Sequence, residues 1–244
     1  IKTLLNDDTN ASAKKIGFLL LNQFSLLAFA SAIEPLRVAN LLLGKPVFEW
    51  MVASPNGLSS LASNGVEVQT NIDPEQLKSC RMVFVCAGID VQNNTSKAIL
   101  NLIRWLDRNG AIIGAICTGT YVMAAAGLLN GRRCTIHWEN IDGLTEEFPD
   151  LDITNDLFEI DGNRVTCSGG TASLDMMLNL ISHVHGAQLA AEISDQFIHD
   201  RIREPTDRQR MELRSRIGVS HPKLLAVVKT MEDNLEEPLP QTAI

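Results

Sequence analysis

Short apolar runs alternate with longer stretches of helical spacing from residue 15 to about residue 200. Residues 15–22 form an unbroken apolar run between polar turns, the pattern of a strand buried on both faces. Residues 24–43 carry apolar groups at helical spacing, with Pro35 placed to start or kink a helix. Gly44-Lys45-Pro46 breaks that pattern. Further strands are expected over 47–54, near Val66–Val68, over 81–88 and over 111–117. Between the last two, residues 94–108 set Ile99, Leu102, Ile103 and Leu106 on one helical face, and Asn109-Gly110 ends it. A helix over 118–129 closes at Asn130-Gly131. Residues 134–138 are short and extended, and 139–148 make a polar helix ending at Pro149. Strands over 152–156, 157–161 and 164–169 follow, with Asp161-Gly162-Asn163 as a hairpin turn. Residues 170–200 are helical with a break near Gly186. Repeated strand–helix units predict an α/β fold: a doubly wound, mostly parallel sheet with helices on both faces.

Composition narrows the class. The chain has 244 residues, 45% of them apolar and 20% charged, which excludes a disordered or fibrous protein. No uninterrupted apolar run reaches the ~18 residues of a bilayer span. Residues 1–14 are polar, without the core of a signal peptide. The expected compartment is the cytoplasm, with no membrane partner. The first residue is not Met, as in an excerpt of a longer polypeptide. A net charge of −8 argues against this body binding nucleic acid directly. Cys80, Cys86, Cys117, Cys134 and Cys167 are odd in number, widely spaced and without a CxxC pair. Neither a disulfide framework nor a metal site is expected, and no cofactor is called for.

The pattern changes after residue 200. Six arginines fall within 200–216, read as a solvated surface with an interdomain or dimer contact as the alternative. Residues 221–244 read as one amphipathic helix stopped at Glu237-Pro238, beyond which another element opens. The expected division is a flexible segment over 1–14, a globular domain over 15–200, and an Arg-rich linker with a first helix over 201–244.

The richest chemistry lies at Cys117. An apolar strand delivers it and a helix follows at once, with small residues two positions away on either side, Ala115 and Gly119. A sharp strand-to-helix elbow needs such neighbours. A helix start beneath the thiol would favour a thiolate or a bound anion. A buried, inert cysteine is the alternative. His137, at the end of a short extended run, is the candidate partner, or else a residue that only caps backbone. Trp138 and Glu139 follow, a ring face and an acid able to cradle a cationic group; core packing explains Trp138 equally well. Gly88-Ile89 closes the strand over 81–88, where a glycine leaves room for a ligand or simply makes a tight turn.

The segments VFVCAG, AICTGTYVMAAAGLLNGRRCTIHW and VTCSGGTASLDMMLNLI resemble the PfpI-like branch of the class I glutamine amidotransferase superfamily. With FASAIEPLRVAN, GLLNGRRCTIHWEN and DQFIHDRIREPTDRQR, the chain is similar over nearly all of 15–240 to the N-terminal domain of AraC/XylS-type transcription regulators. It is most like regulators of glycine betaine and carnitine catabolism, with an arginine-responsive relative next. The resemblance implies a flavodoxin-like sandwich, a homodimer and a small-molecule effector, an amine or quaternary-ammonium metabolite. It also implies a DNA-binding helix-turn-helix domain following Glu237-Pro238, outside these residues.

Two departures bear on activity. The carboxylate that enzymes of the superfamily place six residues before the position of Glu34 is Ala28 here. The residue after the cysteine is Thr118, where protease-like members have His. The expectation is a sensor without catalysis. A cysteine-dependent hydrolase or lyase, or a pure dimerisation scaffold, are the alternatives. The expected ligand site comprises Cys117, Thr118, Gly88, Ile89, His137, Trp138, Glu139 and Glu34. A ligand carboxylate would meet the amides of the elbow helix, and its cation would face Trp138.

Overall fold

The computed structural model describes residues 13–210, 213, 217, 218, 221–232, 234, 239 and 240. Six strands form the main sheet: β1 Lys14–Leu20, β2 Phe48–Ala53, β5 Met82–Cys86, β6 Ile112–Ile116, β9 Phe158–Asp161 and β10 Arg164–Cys167. Their order is β2-β1-β5-β6-β10-β9. All neighbours are parallel except the β9/β10 hairpin, which turns at Gly162-Asn163. β3 Ser59–Leu61 and β4 Glu67–Gln69 form a separate antiparallel pair. β7 Arg133–Thr135 and β8 Asp152–Thr154 form a parallel one.

Alternate side chains of the central strands feed two cores. Phe18, Leu20, Phe84 and Ile112 pack beneath α1 Leu26–Leu43, α6 Ala172–His185 and α7 Ala187–Gln196. Leu19, Val83, Val85 and Ile113 pack under the opposite layer, which includes α3 Lys97–Arg108 and α4 Gly119–Ala125. Burial on both faces is why these strands read as unbroken apolar runs rather than alternating ones.

The helices differ from expectation in instructive ways. α1 continues through Pro35, so that residue does not start it; Ser25 caps it, its Oγ accepting the Ala28 N–H. By length and composition α1 could cross a bilayer, yet Ala28, Phe29, Ala32, Leu36 and Ala39 are buried against the sheet, as in a core helix. The helix expected over 94–108 is α3, which starts at Lys97 because Ser96 Oγ accepts the Ile99 N–H; a separate short helix, α2 Val91–Asn94, precedes it. The polar helix is α5 Ile141–Glu147. The break at Gly186 separates α6 from α7 as the sequence predicts.

The outer strand β2 is closed along its free side by two asparagines. Asn40 Oδ1 accepts the Val47 and Phe48 N–H groups, and its Nδ2 donates to the Phe48 carbonyl. Asn71 Oδ1 accepts the Val52 N–H at 2.7 Å, and its own N–H donates to the Val52 carbonyl.

The chain forms two compact units, residues 1–209 and 210–244. The first therefore extends past residue 200 and includes the first arginines of the Arg-rich stretch. In the second, α8 Pro222–Glu232 is the described part of the expected terminal helix. The segment over 1–12 and the element expected from Glu237-Pro238 lie outside, or almost wholly outside, the described residues.

Candidate functional site

β6 carries Cys117 to the carboxyl edge of the sheet, and α4 begins two residues on. Cys117 adopts φ = 59°, left-handed backbone that costs a non-glycine residue about 1–2 kcal/mol. Neighbours hold it there. Its N–H donates to the Cys167 carbonyl at 3.0 Å. Gly119 lets α4 lie directly on β5: a Cβ there would sit 2.1 Å from the Val85 carbonyl oxygen. Gly169, in the turn from β10 to α6, has φ = 93°, and a Cβ there would sit 2.7 Å from Cys117 Cβ. Of the two small flanking residues expected of an elbow, Gly119 is thus required by its contact with β5, and Gly169 adds a close approach from the β10–α6 turn.

Burial pushes Cys117 up to about 11; the Thr118 amide opposes this, and the Glu139 carboxylate adds to it. Desolvation thus works against the thiolate that a helix start favours. The rate of iodoacetamide alkylation at Cys117 is expected to rise about tenfold per unit from ~pH 7 to ~pH 9 without levelling off. A plateau below ~pH 8 in a mass-spectrometric time course would show an activated thiol.

A hollow of about 180 Å³ opens beside the elbow, smaller than the ~300–1,000 Å³ of drug-sized sites and of the scale of a small metabolite. Its walls are His137 and Trp138, Ser168–Ala172 of the β10–α6 turn with Leu157, and Arg203 with Gln209. His137 starts a short 3₁₀ turn, its Nδ1 accepting the Glu139 N–H, with its ring 5.6 Å from that of Trp138. Glu139 Oε2 lies 3.6 Å from His137 Nδ1. Threonines fix this wall: Thr120 Oγ1 donates to the Thr135 carbonyl, and Thr166 Oγ1 accepts the Thr135 N–H.

The other expected residues lie outside this lining. Cys117 packs behind Gly169. Thr118 Oγ1 donates to the Gly88 carbonyl at 2.6 Å, and the exposed Ile89 donates its N–H to the Gln23 carbonyl. Glu34 is exposed and paired with Arg37 at 2.6 Å, one helical turn away. Ala28 is fully buried. The structure thus brings His137, Trp138 and Glu139 together, with this hollow at the start of α6.

The DJ-1/PfpI family model matches residues 14–183 of this fold, from β1 through most of α6. This chain belongs to the DJ-1/PfpI family. Two relatives are HTH-type transcriptional regulators of Pseudomonas aeruginosa. CdhR is 48% identical over 91% of this chain and 66% of its own length. GbdR is 42% identical over 94% of this chain and 63% of its own. The chain thus spans less than two thirds of the length of either. The crystal structure of an AraC family transcriptional regulator from Pseudomonas putida superposes with a TM-score of 0.69. It is 27% identical and covers 75% of this chain and 99% of its own.

In this DJ-1/PfpI chain the pocket's remaining wall comes from residues that sequence reading left in a linker. Asp175 in α6 is fully buried. Its Oδ1 accepts from His199 Nε2 and the Arg203 N–H; its Oδ2 accepts from Arg203 Nε and Nη2 at 2.9 and 2.7 Å. Arg203 Nη2 also donates to Thr171 Oγ1. Gln209 Nε2 reaches Thr135 Oγ1, the Ile136 carbonyl and the Asp156 carbonyl. One signal was available: Asp175 stands alone among apolar residues in 174–178, and a buried acid needs a cationic partner. Among the described residues no group of His, Cys, Asp and Glu is arranged to hold a metal ion.

Proposed function

We propose that this chain is the ligand-sensing domain of an AraC-type transcription regulator, answering to a small amine or quaternary-ammonium metabolite such as glycine betaine or carnitine. The observation that carries the reading is the composition of the hollow: Trp138 on one wall and Arg203 on another. A zwitterion presents a cation to a ring face and an acid to a guanidinium, so the two walls suit its two ends. The start of the fourteen-residue α6 adds positive potential on the Arg203 side. The ligand acid is thereby assigned to this helix rather than to the elbow.

Catalysis is not part of the proposal. Burial favours the neutral thiol, Ala28 supplies no carboxylate, and Thr118 supplies no base. The protein works as a homodimer in the cytoplasm. It contacts DNA through a helix-turn-helix domain of the kind that the relatives' names record, outside these 244 residues. Isothermal titration with glycine betaine, carnitine and arginine is expected to give saturable heat with at least one; silence from all three would remove the ligand class.

A further inference from the structure

We infer that residues 199–209 form a strap that reads the ligand: Arg203 takes its carboxylate, and Gln209 takes an O–H or N–H donor from the same molecule. The inference rests on the sensing role proposed above and narrows the ligand to an acid that also carries a hydrogen-bond donor.

Three observations support it. First, the strap is built rather than loose. All four bonds to the buried Asp175 come from His199 and Arg203, 24 and 28 residues downstream. Arg201 pairs with Asp207 at 2.7 Å, and the Leu157 N–H donates to the Pro205 carbonyl. Second, among the described residues the Arg203 guanidinium meets Asp175 and Thr171 through Nε and Nη2, which leaves Nη1 of the fork for a ligand acid. Third, Gln209 Oε1 is buried and accepts no hydrogen bond among the described residues, although the Nε2 of the same amide is shared among three oxygens. Those three acceptors fix which way the amide points. A buried acceptor without a donor is destabilising, and this one belongs to a residue lining the hollow. A ligand O–H or N–H removes that cost, whereas a fully methylated ammonium acid with no hydroxyl cannot.

The test uses molecules differing by one group. Carnitine carries a carboxylate and a hydroxyl. γ-Butyrobetaine and glycine betaine lack the donor; choline lacks the acid. Arginine and agmatine form a second pair that differs in the carboxylate. Calorimetry on the 244-residue chain is expected to show carnitine or arginine binding at least about tenfold tighter than every analogue lacking one of the two groups. Tryptic cleavage after Arg201 and Arg208 in the unmutated chain is expected to slow at least about threefold with carnitine or arginine and not with choline or agmatine. In Gln209→Met the gap between carnitine and γ-butyrobetaine closes. Should that variant fail to fold, the unmutated chain's ligand series and its cleavage rates still decide. Glycine betaine or γ-butyrobetaine binding as tightly as carnitine overturns the Gln209 assignment and leaves the sensing role standing. Choline or agmatine matching its acid-bearing partner overturns the Arg203 assignment, and unchanged cleavage overturns the strap's part in reading the ligand. No binding by any molecule removes the sensing role itself.

Discussion

Asp175→Ala is expected to cost about 3 kcal/mol of unfolding free energy, the lower end of the ~3–5 kcal/mol typical of breaking a buried ion pair. The lower end applies because Arg203, unlike the fully buried Asp175, keeps a quarter of its side chain in water and is partly resolvated when its partner goes. The loss has two sources: Arg203 Nε and Nη2 lose their acceptor, and so do His199 Nε2 and the Arg203 N–H. Asp175→Asn should fare little better. An amide turned to accept from His199 and the Arg203 N–H points its own N–H₂ group at the guanidinium. Urea denaturation of the parent and both variants checks the two expectations. A loss under ~1 kcal/mol for Asp175→Ala would mean that the strap is held elsewhere.

Gly119→Ala should be similarly damaging although it adds a single methyl group. Its Cβ would come within 2.1 Å of the Val85 carbonyl oxygen. That carbonyl belongs to a central strand paired on one side with Leu19 and on the other with Ala115. It cannot retreat, so α4 must lift off the sheet. The expected cost is about 3 kcal/mol, the top of the usual range for overpacking. Lifting α4 also uncovers the elbow, so Cys117 alkylation in the folded variant should accelerate. A variant that unfolds within ~1 kcal/mol of the parent, with an unchanged alkylation rate, would contradict this account.

Much of the architecture is legible in local pattern. The apolar runs at 15–22, 81–88 and 111–117 mark the three central strands, because burial on both faces removes polar residues from them. The elbow is legible for a related reason: sharp backbone demands small neighbours, and Ala115 and Gly119 are visible as such. The hairpin at 161–163 and the break at Gly186 announce themselves by residue type. The pocket is not local, and there the sequence misleads. Periodicity cannot show that Asp175 meets Arg203 across 28 residues, nor that Gln209 folds back onto Thr135. Read along the chain, those arginines look solvated, and Arg201 is indeed exposed. Glu34 shows the converse. It looks like a site residue by position, yet the nearest cation, one turn on at Arg37, takes it. Cys117 lies between the two cases: its placement follows from pattern, but its protonation depends on what packs over it.

The paired asparagines along β2 carry a consequence for assembly. Backbone groups on an outermost strand normally invite a second copy to extend the sheet, which is how native proteins begin to polymerise. Asn40 and Asn71 already occupy the outward-facing amides and carbonyls of Phe48 and Val52. Ribbon-to-ribbon growth is thereby blocked at that margin, and β2 can remain an outer strand without becoming a nucleus for fibres.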